Sequence, residues 1–261
     1  MARPLARKAA ALVMLALLAY GLVCGWMYLR QRELIYFPGA TRVHAGATNF
    51  ELSRGGVALR GWRHNAGSEH ALVYFGGNAE AVQYTARQLA AWFPDRTIYA
   101  LAYRGYGASE GEPSEQALVA DARALLDHVR GQQPQADLAV MGRSLGSGVA
   151  AQAAATRPVQ RLVLVTPFHS LAGVGAMHYP WLPVGLLMQD RFDSAAALAD
   201  FPHPVFIIEA GRDRVVPPAS TEQLAAALAR PPERLQLEDA DHNSVLASAE
   251  EIEALQAFLA R

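Results

Sequence analysis

Cysteine is nearly missing from this chain of 261 residues: Cys24 stands alone. A single thiol excludes an internal disulfide framework and any cysteine-based metal site. Charge of one sign is not in excess either, the formal net charge being −1. With no dense Lys/Arg stripe, nucleic acid is a poor partner. Internal repeats and low-complexity tracts are also absent. Long hydrophobic runs are scarce, and the one of bilayer length lies at the start. What remains suits one large α/β domain or two small ones, with ample chain for a sizeable core.

Residues 9–29 carry no charged side chain and are rich in Leu, Val, Met and Ala. As a helix they extend roughly 31 Å, enough to cross a hydrocarbon core of about 30 Å. Arg3, Arg7 and Lys8 precede the run, Arg30 and Arg32 follow it, and Tyr20, Trp26 and Tyr28 suit interfaces. A cleaved signal peptide calls for a shorter run and small residues at a cleavage site. Val23 before Cys24 is not the small residue expected ahead of a lipoprotein cysteine. A buried core helix is the bland alternative. The expectation is an uncleaved anchor, with secretion after cleavage as the rival reading. The heavier basic cluster ahead of the run favours a cytoplasmic N-terminus and a domain on the outer side.

Residues 31–47 read as a linker into the folded domain, with Pro38-Gly39 as a turn. Alternating residues 49–53 and 57–64 predict a β-hairpin. Apolar runs at 71–75, 97–102, 138–141, 161–166 and 205–210 predict strands, with a last one at 234–238. Between and after them, 79–93, 114–130, 144–156, 219–228 and 244–260 read as helices. Short apolar runs alternating with amphipathic helices indicate a mostly parallel sheet of about eight strands covered on both faces. Residues 168–203 are too long for an ordinary connection and carry Met177, Tyr179, Trp181, Leu186 and Leu187. Such an insertion sits over a site at the carboxyl ends of the strands, as a cap. The expected organisation is an anchor over 1–32 and a catalytic domain over 33–261.

Leu138-Ala139-Val140-Met141 leads into Gly142-Arg143-Ser144-Leu145-Gly146 and then a helix. This is Gly-x-Ser-x-Gly between a strand and a helix. A nucleophile on that sharp turn projects from the sheet, and side chains two positions either side would clash. The helix N-terminus directs free N–H groups and a positive dipole end at Ser144. In this architecture, the α/β-hydrolase fold, the partners follow in the order Ser, acid, His. Asp213, past the run 205–208, is the candidate acid, and His242, past the last strand, the candidate base. Asp241 and Glu209 compete for the acid role. Asp241 adjoins His242, and neighbouring side chains point apart; Glu209 lies inside a strand. The candidate oxyanion donors are the backbone N–H groups of Leu145 and, after Phe75-Gly76-Gly77, of Asn78. Arg143 and Arg104 offer positive charge that could steer an anion.

These residues resemble the Bem46-type branch of the α/β-hydrolases, small membrane-anchored serine hydrolases related to the ABHD13 and ABHD17 groups. The resemblance runs from about Leu34 to the C-terminus. It is carried by Tyr103-Arg104-Gly105-Tyr106-Gly107, Pro113-Ser114-Glu115, Gly142 to Gly148, and Thr166-Pro167-Phe168. Tyr179-Pro180-Trp181-Leu182-Pro183, Arg191-Phe192-Asp193-Ser194, the segment from Gly211 to Pro217, and Asp241-His242-Asn243 complete it. It implies a Ser144, Asp213, His242 triad and an N-terminal anchor. Two positions depart from the family pattern. Gly76 stands where the family has His, and Ala102 where it has Asp. A hydrogen-bonded pair lost together would explain both.

The expectation is hydrolysis of an ester or thioester through an acyl-enzyme, with no metal and no organic cofactor. The substrate is a small acyl compound, and the apolar cap beside a membrane suggests a lipid-like one. Rival readings are a serine peptidase or amidase with the same triad, and a non-catalytic binding protein on this fold. An epoxide hydrolase or dehalogenase is disfavoured, since those carry aspartate in place of the serine.

Overall fold

The computed structural model describes residues 2–246 and 248–261; Met1, at the head of the predicted anchor, and Ala247, in the predicted last helix, lie outside them. The chain opens with a long helix, α1 (Ala2–Ile35), followed by the hairpin β1 (Phe50–Arg54) and β2 (Val57–His64). Then come β3 (His70–Phe75), α2 (Val82–Trp92), β4 (Arg96–Leu101), α3 (Glu115–Gln132), β5 (Asp137–Arg143), α4 (Leu145–Ala154) and β6 (Arg161–Val165). Three short helices follow, α5 (Leu171–His178), α6 (Val184–Leu187) and α7 (Ser194–Leu198). β7 (Val205–Ala210), α8 (Pro218–Ala227), β8 (Glu233–Leu237) and α9 (Ala249–Leu259) complete it.

Among the described residues eight strands form one sheet in the order β1-β2-β4-β3-β5-β6-β7-β8. β1 and β2 are antiparallel to their neighbours, and every pair from β4 to β8 is parallel. Every residue of β4 and β7 is buried, as are all but the first of β3 and β6. Such continuous apolar runs are what a sheet covered on both faces requires. From β3 the chain steps outward to β4, then crosses back to place β5 on the other side of β3. The strand order therefore reverses between β3 and β5. At that point the loops beyond the carboxyl ends diverge and leave a crevice for a site.

Three boundaries differ from expectation, each for a reason the contacts show. The linker expected from residue 31 begins only after Ile35, because Gln31, Arg32 and Tyr36 are bound to the cap. α2 starts at Val82 rather than residue 79: Ala79 takes a φ of 56°, and the Glu80 carboxylate accepts the Gly77 N–H at 2.7 Å. The last helix starts at Ala249 rather than residue 244, set by a capping box between Ser248 and Glu251. Residues 242–244 form the turn that carries His242. Finally, α1 is not a core helix. Its apolar side chains stand bare, Leu12, Met14, Leu15, Leu18 and Leu22 all being mostly exposed. It is one N-terminal helix long and apolar enough to cross a membrane.

The insertion between β6 and β7 forms the cap. Glu115, the first residue of α3, fastens its base, accepting the Arg191 and Phe192 N–H groups at 2.6 and 2.8 Å.

Candidate active site

Ser144 sits between β5 and α4 with φ 50° and ψ −120°, a region that side chains other than glycine rarely enter. The turn is held by the Ser144 N–H, donated to the Val165 carbonyl at 2.9 Å, and by the Ser147 N–H, donated to the Ser144 carbonyl at 2.8 Å. A Cβ at Gly142 would stand 2.2 Å from the Gly146 carbonyl oxygen, and one at Gly146 would stand 2.1 Å from that of Phe75. The spacing of the two glycines is thus dictated by how closely α4 approaches β5 and β3.

The hydroxyl meets a histidine and then a carboxylate. Ser144 Oγ lies 2.9 Å from His242 Nε2, and His242 Nδ1 lies 2.7 Å from Asp213 Oδ2. With a carboxylate as partner, Nδ1 carries the proton and Nε2 is left to accept from the hydroxyl. Asp213 is fixed in turn by the Val215 and Val216 N–H groups, both donated to Oδ1 at 2.8 Å. Asp213 and His242 are buried. The competing acids are occupied elsewhere. Both Glu209 oxygens accept from Arg234, at 2.7 and 2.9 Å. Asp241 Oδ1 accepts the N–H groups of Asn243 and Ser244, and those bonds hold its carboxyl below the usual carboxylate range.

Asn78 follows β3 and Leu145 opens α4, and both line one cavity with Ser144. The Asn78 side chain is tied to the residues that follow α1 and to Tyr106. Its Nδ2 donates to the Ile35 carbonyl at 2.5 Å, and its Oδ1 accepts from the Tyr106 hydroxyl at 2.7 Å and the Phe37 N–H at 3.2 Å. Among the described residues, no acceptor engages the backbone N–H of Asn78 or Leu145. The cavity measures about 690 Å³, within the ordinary range for small-molecule sites. Among the described residues lining it, Arg214 stands alone as an Arg, Lys, Asp or Glu side chain. Those residues also offer no cluster of His, Cys, Asp or Glu fit to hold a metal ion.

Two arginines expected to be available to an anion are not. Arg104 is paired with Asp121 at 2.7 and 3.0 Å, and those hydrogen bonds raise its pKa. Arg143 donates to the His242 carbonyl at 3.2 Å and approaches the Glu80 carboxylate at 3.9 Å. Both guanidinium groups are bound inside the fold.

Sequence reasoning did not anticipate that Glu80, Tyr106 or the end of α1 would support the site. Glu80 binds the Gly77 N–H, the Tyr74 hydroxyl and Thr85 Oγ1, so it organises the loop that ends in Asn78. Its place three residues past Gly77 was a usable signal, since a carboxylate there can close a turn on that N–H. Tyr106 and the end of α1 reach the site through contacts distant in sequence, which no local pattern announces.

Residues 69–187 match the family model described as serine aminopeptidase, S33. The uncharacterized protein Rv2307c of Mycobacterium tuberculosis is 37% identical over 259 residues, covering 94% of this chain and 92% of that one. The alpha/beta hydrolase domain-containing protein WAV2 of Arabidopsis thaliana is 32% identical over 154 residues, 52% of this chain and 50% of its own. Among solved structures, the Pyrococcus furiosus esterase Pf2001 is similar with a TM-score of 0.67 at 18% identity, over 82% of this chain and 93% of its own. Est1E of Butyrivibrio proteoclasticus, solved with ferulic acid bound, gives 0.67 at 15% identity over 81% and 98%. At such identities the structural likeness speaks for the fold alone. The chain belongs to the family of the mycobacterial protein, and it has the α/β-hydrolase fold.

Proposed function

We propose that this protein is a membrane-anchored serine hydrolase that cleaves an ester or thioester. One observation carries the reading: Ser144 Oγ, His242 and Asp213 stand in a continuous relay with contacts of 2.9 and 2.7 Å. Ser144 attacks the acyl carbonyl while His242 Nε2 takes its proton, and Asp213 holds the ring and stabilises the imidazolium. The Leu145 and Asn78 N–H groups receive the oxyanion. His242 then protonates the leaving oxygen or sulfur. Water, deprotonated by the same imidazole, clears the acyl-enzyme. The family branch we assign is the Bem46-like one. α1 remains attached as an anchor, with its N-terminus in the cytoplasm and the domain on the outer side, following the heavier basic cluster ahead of the run.

A fluorophosphonate probe tests the mechanism. Wild-type protein should be labelled at Ser144, and Ser144→Ala and His242→Ala should not be. Equal labelling of Ser144→Ala would remove Ser144 from its role.

The family model's description favours a second reading, an aminopeptidase with the same relay. Against it, no Asp or Glu is among the described residues lining the cavity, whereas a peptide ammonium group calls for a carboxylate partner. Comparing an acyl ester with the matching aminoacyl amide decides: preference for the amide would establish the peptidase.

A further inference from the structure

The cavity that begins at Ser144 ends against the anchor. Trp26, Met27, Gln31 and Leu34 of α1 line it, opposite Leu187 and Met188 of the cap. α1 is not merely near. The Tyr20 hydroxyl donates to the Trp181 carbonyl at 2.8 Å, Gln31 Nε2 donates to the Leu187 carbonyl at 3.1 Å, and Gln31 Oε1 accepts the Gln189 N–H at 2.7 Å. Arg32 and Tyr36 both bind the buried Asp190 carboxylate, at 3.2 and 3.0 Å. From Tyr20 to Arg32 the helix is fastened to the cap, and Tyr36 just beyond it adds a further bond.

This pairing fixes the depth of the cap. Tyr20 lies near the middle of the uncharged run 9–29, roughly 16 Å from its start and 14 Å from its end at the rise of a helix. If that run crosses the hydrocarbon, Trp181 is carried into the leaflet with it. The cap's outer surface suits such a position: Leu186 is 86% exposed and Trp181 57%, beside Tyr179 and Met177, which are also exposed. Bare apolar side chains are what a surface turned to the leaflet presents.

We infer that the anchor helix is one wall of the acyl-binding pocket, and that the substrate is an ester whose acyl chain resides in the bilayer leaflet and enters sideways between α1 and the cap. This rests on the serine-hydrolase reading and adds to it the class of substrate and the residues that select it. The chain slides from the leaflet along Trp26, Met27 and Leu34, bringing its carbonyl to Ser144 without exposing the chain to water.

The test uses the full chain in phosphatidylcholine vesicles, with butyryl and palmitoyl esters of umbelliferone. Met27→Trp and Leu34→Trp should each lower the palmitoyl-to-butyryl ratio of kcat/KM by about tenfold or more, the scale of a blocked apolar pocket. Leu29→Trp, on the same helix but away from the pocket and 80% exposed, should hold the ratio within about twofold. A double change, Trp181→Asp with Leu186→Asp, should reduce palmitoyl hydrolysis in vesicles about tenfold, yet spare it in detergent micelles, where no leaflet exists. Fluorophosphonate labelling of Ser144 in each variant reports that the site is folded. Ester cleavage with unchanged ratios in both tryptophan variants, or equal losses in vesicles and micelles, overturns this inference alone. Failure of the wild type to cleave either ester or to take up the label overturns the catalytic reading and this inference together.

Discussion

The guanidinium of Arg143 donates to the backbone carbonyl of His242 at 3.2 Å while facing the Glu80 carboxylate at 3.9 Å. One side chain therefore joins the turn bearing the candidate base to the residue that organises the Gly77–Asn78 loop. Arg143 occupies the variable position before Ser144, and its role is to hold two loops in register across the crevice. Removing it displaces the imidazole relative to the serine, and misplacements of such size cost up to about a hundredfold in rate. We expect Arg143→Met to lower kcat about tenfold to a hundredfold with little change in KM, and Arg143→Lys to recover part of it. Steady-state kinetics on a soluble ester checks this. An unchanged kcat in Arg143→Met would remove the positioning role.

The glycines divide into those the backbone needs and those it does not. A methyl group at Gly146 meets the carbonyl oxygens of Phe75 and Gly76 at 2.1 and 2.5 Å, and backbone cannot yield as a side chain would. Gly146→Ala should push α4 off the end of β3, costing about 1–3 kcal/mol as overpacking does. It should also separate the Leu145 and Asn78 N–H groups, with loss of one such donor costing about a hundredfold in kcat. Gly131, in the last turn of α3, has open space where its Cβ would go. Gly131→Ala should stabilise by about 0.4–1 kcal/mol with activity unchanged. Denaturant midpoints and ester kinetics on both variants decide; a stabilised, fully active Gly146→Ala would contradict the account of the elbow.

What local pattern could show and what it could not divide along chain separation. Gly142, Ser144 and Gly146 are one turn, and Asp213 and His242 each follow the carboxyl end of a strand, so periodicity and strand order were enough to place them on one rim. The structure brings these side chains within hydrogen-bond distance. The apolar runs of β3 to β7 were equally legible, because a strand buried on both faces carries few polar residues, and Glu209 needs Arg234 as its partner. The end of α1 read as linker because Gln31, Arg32 and Tyr36 are polar residues following an apolar run. Their partners Leu187, Gln189 and Asp190 lie more than 150 residues further on. Arg143 looked free to bind an anion for the same reason. A charge in a loop declares nothing of a carbonyl 99 residues away.

Tyr106 gives the Asn78 loop a titratable support. Its hydroxyl donates to Asn78 Oδ1 at 2.7 Å and accepts the Phe37 N–H at 3.0 Å. Burial pushes its pKa from 10.0 up to about 12, against the opposing pull of the Phe37 N–H. Unfolded chains thus lose this proton before folded ones do. The associated stability is complete below about pH 10 and is lost as the pH rises through about 12. We expect the stability difference between wild type and Tyr106→Phe to narrow across that window. Buried Tyr74, whose pKa is also raised, affects both proteins alike, whereas the rises at Tyr36 and Tyr103 include repulsion from Tyr106 and so enter the same difference. Denaturant unfolding at about pH 9 and about pH 12 measures it. A difference constant over that range would dismiss the role assigned to the hydroxyl.

Of the two departures from the resembling family, Gly76 and Ala102, the second lines a void of about 10 Å³ together with Gly77, Val82 and Tyr103. The loop is held there by other means, the Tyr103 hydroxyl donating to the Gly76 carbonyl at 2.8 Å and Glu80 accepting from Gly77. Any side chain at Gly76 would begin 2.3 Å from Val82 Cγ1, so the valine fills the place a histidine would need. Restoring His alone supplies a ring with no carboxylate to receive its proton and forces Val82 aside. We expect Gly76→His to change kcat/KM by no more than about twofold upward while costing about 1–3 kcal/mol of stability. Ala102→Asp alone should bury an unpaired carboxylate and cost at least as much. Only the combination with Val82→Ala gives the pair both space and partners, and it should recover most of the lost stability. Thermal unfolding and ester kinetics on the single and combined variants form the cycle. A large gain in activity from Gly76→His by itself would show that the two positions were never coupled, and that the loop lacked only a histidine.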